Sequence, residues 1–172
     1  MKYIKLAYFY YRTTIHKALV MWYILKACLA LIKRGFKHDI SKYSKRESRG
    51  FSKLVLQHKK SKYQSQEYQD LLKELEPTLI VHYSKNRHHP EFYHAQTFDG
   101  KKTLSEYSDE VEIYCMSWLD RVEMMCDWAA ATKNHKPASE YYESARKNQE
   151  RFHYSNVERG HFINDGKEIG LW

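Results

Sequence analysis

The 172 residues suffice for one domain, 1–172, with a hydrophobic core of its own, and a 42% hydrophobic share is ordinary for a globular protein. Twenty-nine lysines and arginines against 21 aspartates and glutamates give a formal charge of +8, which favours anionic partners such as nucleotides, nucleic acid or a membrane surface without choosing among them. Cys28, Cys115 and Cys126 are odd in number and lack C-x-x-C spacing, so they speak against a disulfide framework and read as reduced core thiols of a cytoplasmic protein.

No glycine or proline interrupts Lys2 to Arg34, and basic residues followed by Gly35 close the stretch, which predicts one long helix carrying His16. Its most apolar part, Ala18 to Ile32, spans 15 residues and contains Lys26, so a buried core helix is expected and no membrane span. No small-residue cleavage site follows it, which argues against a signal peptide. His38 and Asp39 come just after the stop, and a second helix is expected over Ser44 to Leu56, with Glu47 on it.

The Lys-, Ser- and Gln-rich run His58 to Gln69 reads as an exposed connector. Helical pattern resumes near Gln66 and reaches Tyr83, with Pro77 predicting a kink or a break. His89 precedes Pro90, so His82, His88, His89 and His94 are expected where a helix gives way to a loop. Phe98-Asp99-Gly100-Lys101 reads as a turn. Further helices are expected over Glu106 to Thr132, closed by Asn134 to Pro137, then over Ala138 to Phe152 and Val157 to Ile163. With no alternating strand pattern, the expected fold is all-α, of six or seven helices.

Imidazole nitrogen and carboxylate oxygen are donors that divalent metals accept, and a metal so held makes hydroxide from water near neutral pH. The dipeptide His38-Asp39, taken with His16 and Asp127, therefore reads as a metal site. A solvated loop or a local cap is the bland alternative for the pair, a satisfied core histidine for His16, and a polar surface loop for the cluster after His82. Asp120, Glu123 and Asp127 share one helical face. Asp120 reads as solvated or paired with a basic neighbour such as Arg121. Asp127 lies among Met124, Met125, Trp128 and alanines, where a buried carboxylate needs a partner. Glu123 can orient a ligand histidine or act on water.

The order His16, His38-Asp39, Asp127 resembles the H...HD...D pattern of the HD-domain superfamily, all-helical metal-dependent phosphohydrolases. His82 and His88-His89 stand where some binuclear members carry further histidines. His38-Asp39-Ile40-Ser41-Lys42 is similar to the H-D-I-G-K run of HD-GYP phosphodiesterases, and the likeness gives Lys42 a role at the substrate phosphate. The G-Y-P portion is replaced by Pro90-Glu91-Phe92-Tyr93, so cyclic-dinucleotide specificity does not carry over, and Lys42 stands where some HD nucleotidases have a glutamate. At closer range, H-D-I-S-K-Y-S, N-R-H-H-P-E-F-Y and E-M-M-C-D-W resemble an uncharacterised HD-like family of bacteria and phages.

The resemblance implies a phosphohydrolase with two divalent ions, among which Mn, Fe, Co, Ni, Zn and Mg are not distinguished. His16, His38, Asp39 and Asp127 would hold one ion, with Asp39 bridging to a second held by His82 and by His88 or His89. Lys42 and Arg87 would neutralise charge on a phosphate-containing small molecule, expected to be a nucleotide. Two alternatives stay open: a di-iron oxygenase of the HD type, and a non-catalytic protein whose basic, tyrosine-rich surface, as at Lys59-Lys60-Ser61-Lys62-Tyr63, binds nucleic acid or a host protein.

Overall fold

The computed structural model describes residues 2–58, 66–95, 113–133 and 139–171. The turn expected at 98–101, the connector residues 59–65, the expected helical residues 106–112 and the helix closure at 134–137 lie outside them. The protein is all-α, with no strand among the described residues. Its helices are α1 (Lys2–Lys37), α2 (Lys45–His58), α3 (Gln66–Tyr83), the single turn α4 (Phe92–Ala95), α5 (Trp118–Lys133), α6 (Ser139–Phe152) and α7 (Asn156–Glu168). Short 3-10 turns occur at Ile40–Tyr43 and Ile113–Cys115. The chain falls into two compact units, Met1–Lys37 and His38–Trp172.

The first unit is α1 alone, 36 residues without an acidic side chain in its first turn and with Arg34 and Lys37 in its last. The helix runs past Gly35, because an interior glycine costs only about 1 kcal/mol against alanine. It ends instead where Asp39 turns into the left-handed region at φ 53°. The expectation of a buried core helix is corrected: Trp22, Leu25 and Leu29 are about half exposed, and none of the most apolar window is buried. The apolar residues surround the helix rather than forming one stripe, so burial on one face would leave the others in water. By length and composition alone this helix could cross a membrane.

In the second unit, Ser44 caps α2 by accepting from the Glu47 amide at 3.3 Å. Helix α2 packs on α3, where Leu71, Leu75, Leu79 and Tyr83 repeat every fourth residue and bury one face, with Phe51 and Leu54 against them. Pro77 lies inside α3 and does not divide it. An interior proline costs about 3 kcal/mol, and each buried leucine returns about 1.5–3 kcal/mol, so the packed face outweighs the missing amide. Gly50 allows the close approach of α2, since a Cβ there would collide with the Thr78 side chain.

The predicted helix over Glu106 to Thr132 starts, in its described part, only at Trp118. Ser117 and Asp120 set that start reciprocally: the Asp120 amide donates to Ser117 Oγ at 3.2 Å and the Ser117 amide to Asp120 Oδ2 at 3.0 Å. Helix α5 packs on α6, and α6 on α7. Tyr141 donates to the Phe162 carbonyl at 3.2 Å, and Phe162 meets Trp128 and Tyr154 edge-on. Helix α7 runs past the expected Ile163 and through Gly166 to Glu168. Cys28, Cys115 and Cys126 are unpaired as expected, but all three are exposed rather than in the core, because the buried positions on α5 fall to Val122, Met124, Met125 and Ala129.

Candidate metal centre

Asp39 is the pivot. Its left-handed backbone, about 1–2 kcal/mol unfavourable for a residue with a Cβ, precedes the 3-10 turn directly. Although it stands at the N-cap of that turn, its carboxylate makes no cap hydrogen bond and faces histidines instead. Strain of this kind persists where surrounding contacts fix it, which is common at functional sites.

The two Asp39 oxygens face different groups. Oδ1 lies 3.3 Å from His82 Nε2 and 3.5 Å from His88 Nε2, and His82 Nε2 is 3.0 Å from His89 Nε2. Oδ2 lies 3.5 Å from His38 Nε2 and 2.5 Å from Lys42 Nζ, while His38 Nε2 is 3.4 Å from Asp127 Oδ1. Asp39, His82, His88 and His89 thus form one set with metal-ligand spacing, and His38, Asp39 and Asp127 a second. The histidine-rich segment after α3 is no solvated loop: successive turns from His82 to Phe92 fold it inward, and His88, Pro90 and Glu91 are buried.

Carboxylates stand behind the imidazoles. Glu123, on α5, is 3.1 Å from both His38 Nδ1 and His88 Nδ1. Glu47, on α2, is 2.9 Å from His82 Nδ1. Each of these rings therefore turns Nε2 toward Asp39, the arrangement by which outer carboxylates orient metal-binding histidines.

The electrostatics call for a cation. Hydrogen bonds to Asp127 and then Glu123 push the His38 ring up to about 10, so without a metal its proton supplies one positive charge among the acids, a charge that a bound cation would displace. Burial pushes the Asp39 carboxyl up, but the neighbouring His82 ring and the Lys42 ammonium together outweigh it and hold the group well below the usual range. Burial, followed by the neighbouring His88 and His82, pushes His89 well down, which leaves its ring neutral. Even so, Asp39 Oδ1 and His88 Nε2 are buried with no hydrogen-bond partner. Two such orphaned atoms 3.5 Å apart, in a nitrogen and oxygen donor set, fit a divalent ion.

The structure brings together His38, Asp39, His82, His88, His89, Glu123 and Asp127. His16 is exposed on α1 and enters no metal-capable group among the described residues. Lys42 reaches Asp39 directly, and its ammonium also lies 4.9 Å over the Phe51 ring. Arg87 is anchored by Asp120, and Asp120 is fully buried rather than solvated because Arg87, Tyr93 and Ser117 all donate to it. Arg121 pairs instead with Glu158. Glu47 is the residue that sequence reasoning left unassigned: Ser44-x-x-Glu47 reads as a capping box, which hides any other use of the acid.

Residues 5–169 match a family of unknown function, DUF5662. The chain belongs to that family. No curated protein and no solved structure matches the chain. Membership spans both units and carries no assigned activity, so the chemistry has to be argued from the cluster itself.

Proposed function

We propose that this DUF5662 protein is an HD-type metal-dependent phosphohydrolase that cleaves a nucleotide or another phosphate ester. The observation that carries this is the division of Asp39: one oxygen faces His82, His88 and His89, the other faces His38 and, through it, Asp127. A carboxylate so placed could serve two cations. His38, Asp39 and Asp127 would hold one ion and Asp39, His82, His88 and His89 the other; His16 joins the first on the order of the motif alone. Divalent ions bound there supply Lewis acidity and hydroxide at neutral pH.

Around them the side chains orient and neutralise. Glu123 fixes the rings of His38 and His88. Lys42, partly exposed beside Asp39, reaches a non-bridging phosphate oxygen and offsets the charge that develops there. Arg87, half exposed but tied to Asp120, contributes to the local positive field. Attack of a water-derived oxygen on phosphorus breaks the ester P–O bond, and the leaving oxygen departs with a proton.

The test is Asp39→Asn. Asparagine tolerates the left-handed backbone, so circular dichroism should match wild type while bound metal and turnover on the best substrate from a nucleotide and phosphodiester screen are lost. Assays under nitrogen with added manganese separate hydrolysis from oxygen-dependent iron chemistry. Unchanged metal content in a folded variant would overturn the site.

A further inference from the structure

We infer that Glu47 is the positioning residue for His82, fixing its ring as the Nδ1–H tautomer so that the Nε2 lone pair is presented to a divalent cation; the inference rests on the metal reading above. Glu47 has no exposed surface. Its Oε1 accepts from Lys85 Nζ at 3.0 Å, and its Oε2 lies 2.8 Å from Ser41 Oγ and 2.9 Å from His82 Nδ1.

Following each hydrogen fixes the tautomer. Asn86 Nδ2 lies 2.7 Å from the His82 carbonyl, which can only accept, so the nitrogen of that amide is assigned to this position. Its second hydrogen goes to Ser41 Oγ at 2.8 Å, which leaves none for His82 Nδ1, 3.0 Å away. Ser41 in turn donates its hydroxyl hydrogen to Glu47. Near Nδ1 the remaining partners are the Glu47 carboxylate and, at 3.3 Å, Ser41 Oγ, whose hydrogen already goes to Glu47. Both are acceptors, so Nδ1 carries the proton and donates it. Nε2 is then left with its lone pair, 3.3 Å from Asp39 Oδ1 and 3.0 Å from His89 Nε2. Two imidazole nitrogens and a carboxylate oxygen at these separations are spaced to share one cation.

The same contacts explain the enclosure. Ser41 stands on the 3-10 turn that follows Asp39, Glu47 on α2 and His82 on α3, so one carboxylate ties that turn to the helix that carries His82. The surface lysine Lys85 neutralises the acid from outside, which allows Glu47 to stay charged while buried.

The experiment uses the full chain, metal-free and labelled with nitrogen-15. Long-range proton–nitrogen spectra at mildly alkaline pH report the His82 tautomer, and titration with Mn2+, followed by the paramagnetic resonance of the free ion, reports affinity. We expect a protonated Nδ1 in wild type, and in Glu47→Gln a weakening of Mn2+ binding by about tenfold to a hundredfold with circular dichroism unchanged. A wild-type His82 without a proton on Nδ1 overturns the proposal, and so does undiminished Mn2+ affinity in the folded variant. If Glu47→Gln does not fold, the wild-type tautomer decides. A wild type that shows Nδ1–H but binds no Mn2+ refutes the metal reading, and with it the purpose assigned to Glu47, while the His82–Glu47 bond stands.

Discussion

Asp120 and Asp39 are both carboxylates enclosed by helices of the same unit, yet their oxygens are satisfied in opposite ways. Asp120 accepts from Arg87 Nε and Nη2 at 3.3 and 3.2 Å, from Tyr93 Oη at 3.0 Å and from Ser117 Oγ at 2.6 Å. Asp39 has one oxygen on Lys42 and one buried oxygen with no donor at all. A buried charge surrounded by its own donors is a finished structural device; one that leaves a buried oxygen without a donor has a place for a further cation. Local acidity in the sequence does not distinguish the two. The donors around them do.

The largest effect that sharpens this contrast belongs to Asp120→Ala. Removing the acid leaves the Tyr93 hydroxyl and the Ser117 cap without their acceptor while half-exposed Arg87 stays solvated, and the loss is about 1–3 kcal/mol. Urea unfolding should show that loss, while the Mn2+ stoichiometry of the folded fraction stays at the wild-type value. Loss of metal without loss of stability would erase the distinction between the two acids.

Second in size is Glu123→Gln. Because Glu123 holds His38 and His88 from their Nδ1 side, the amide should weaken metal binding about tenfold to a hundredfold without emptying the site. An emptied site would make Glu123 a ligand rather than a support, and unchanged affinity would remove it from the centre.

The candidate ligands were legible in the sequence where chemistry and order coincide: His38-Asp39, His88-His89 and Asp127 are residue types that a metal accepts, and the structure gathers them into groups that could hold one. Helix spans such as α3 and α6 were legible too, as the spacing of apolar residues agreed with burial. Three things were not. The length of α1 past Gly35 depends on a backbone angle at Asp39 that no composition reveals. The burial of Asp120 depends on Arg87 and Tyr93 arriving from another segment. Glu47 was masked by a capping pattern that is itself real, since its amide does bond Ser44 while its carboxylate serves His82.

Acid should separate the two clusters next. Burial pushes Asp120 up, but its bonds to Arg87 and Ser117 prevail and hold it at about 2, against an ordinary value of 3.8. A depressed carboxyl stabilises the fold above its unfolded value and loses that contribution as pH falls toward its folded value. Between pH 3.8 and 2 the fold should therefore lose about 2 kcal/mol from this group. Urea midpoints of wild type and Asp120→Asn across that interval measure it: the variant's curve should be flatter, and parallel curves would assign the acid sensitivity elsewhere.

The smallest effect is the most discriminating for Asp39. Lys42 Nζ sits 2.5 Å from Asp39 Oδ2, the oxygen that faces His38 and Asp127, so the ammonium and a cation compete for one lone pair. The lysine side chain is 39% exposed, and a pair this open is worth at most about 1 kcal/mol. An ammonium has no lone pair with which to bind metal itself. Lys42→Ala should accordingly leave stability within about 1 kcal/mol and metal stoichiometry unchanged. Its Mn2+ affinity should equal wild type or exceed it by up to about fivefold, the equivalent of that same competition. Turnover should fall, because the charge facing the phosphate is gone. A Lys42→Ala protein that binds Mn2+ more weakly would mean that the ammonium organises Asp39 for the metal instead of competing with it, and the Asp39 cluster would then resemble Asp120 more closely than its orphaned oxygen indicates.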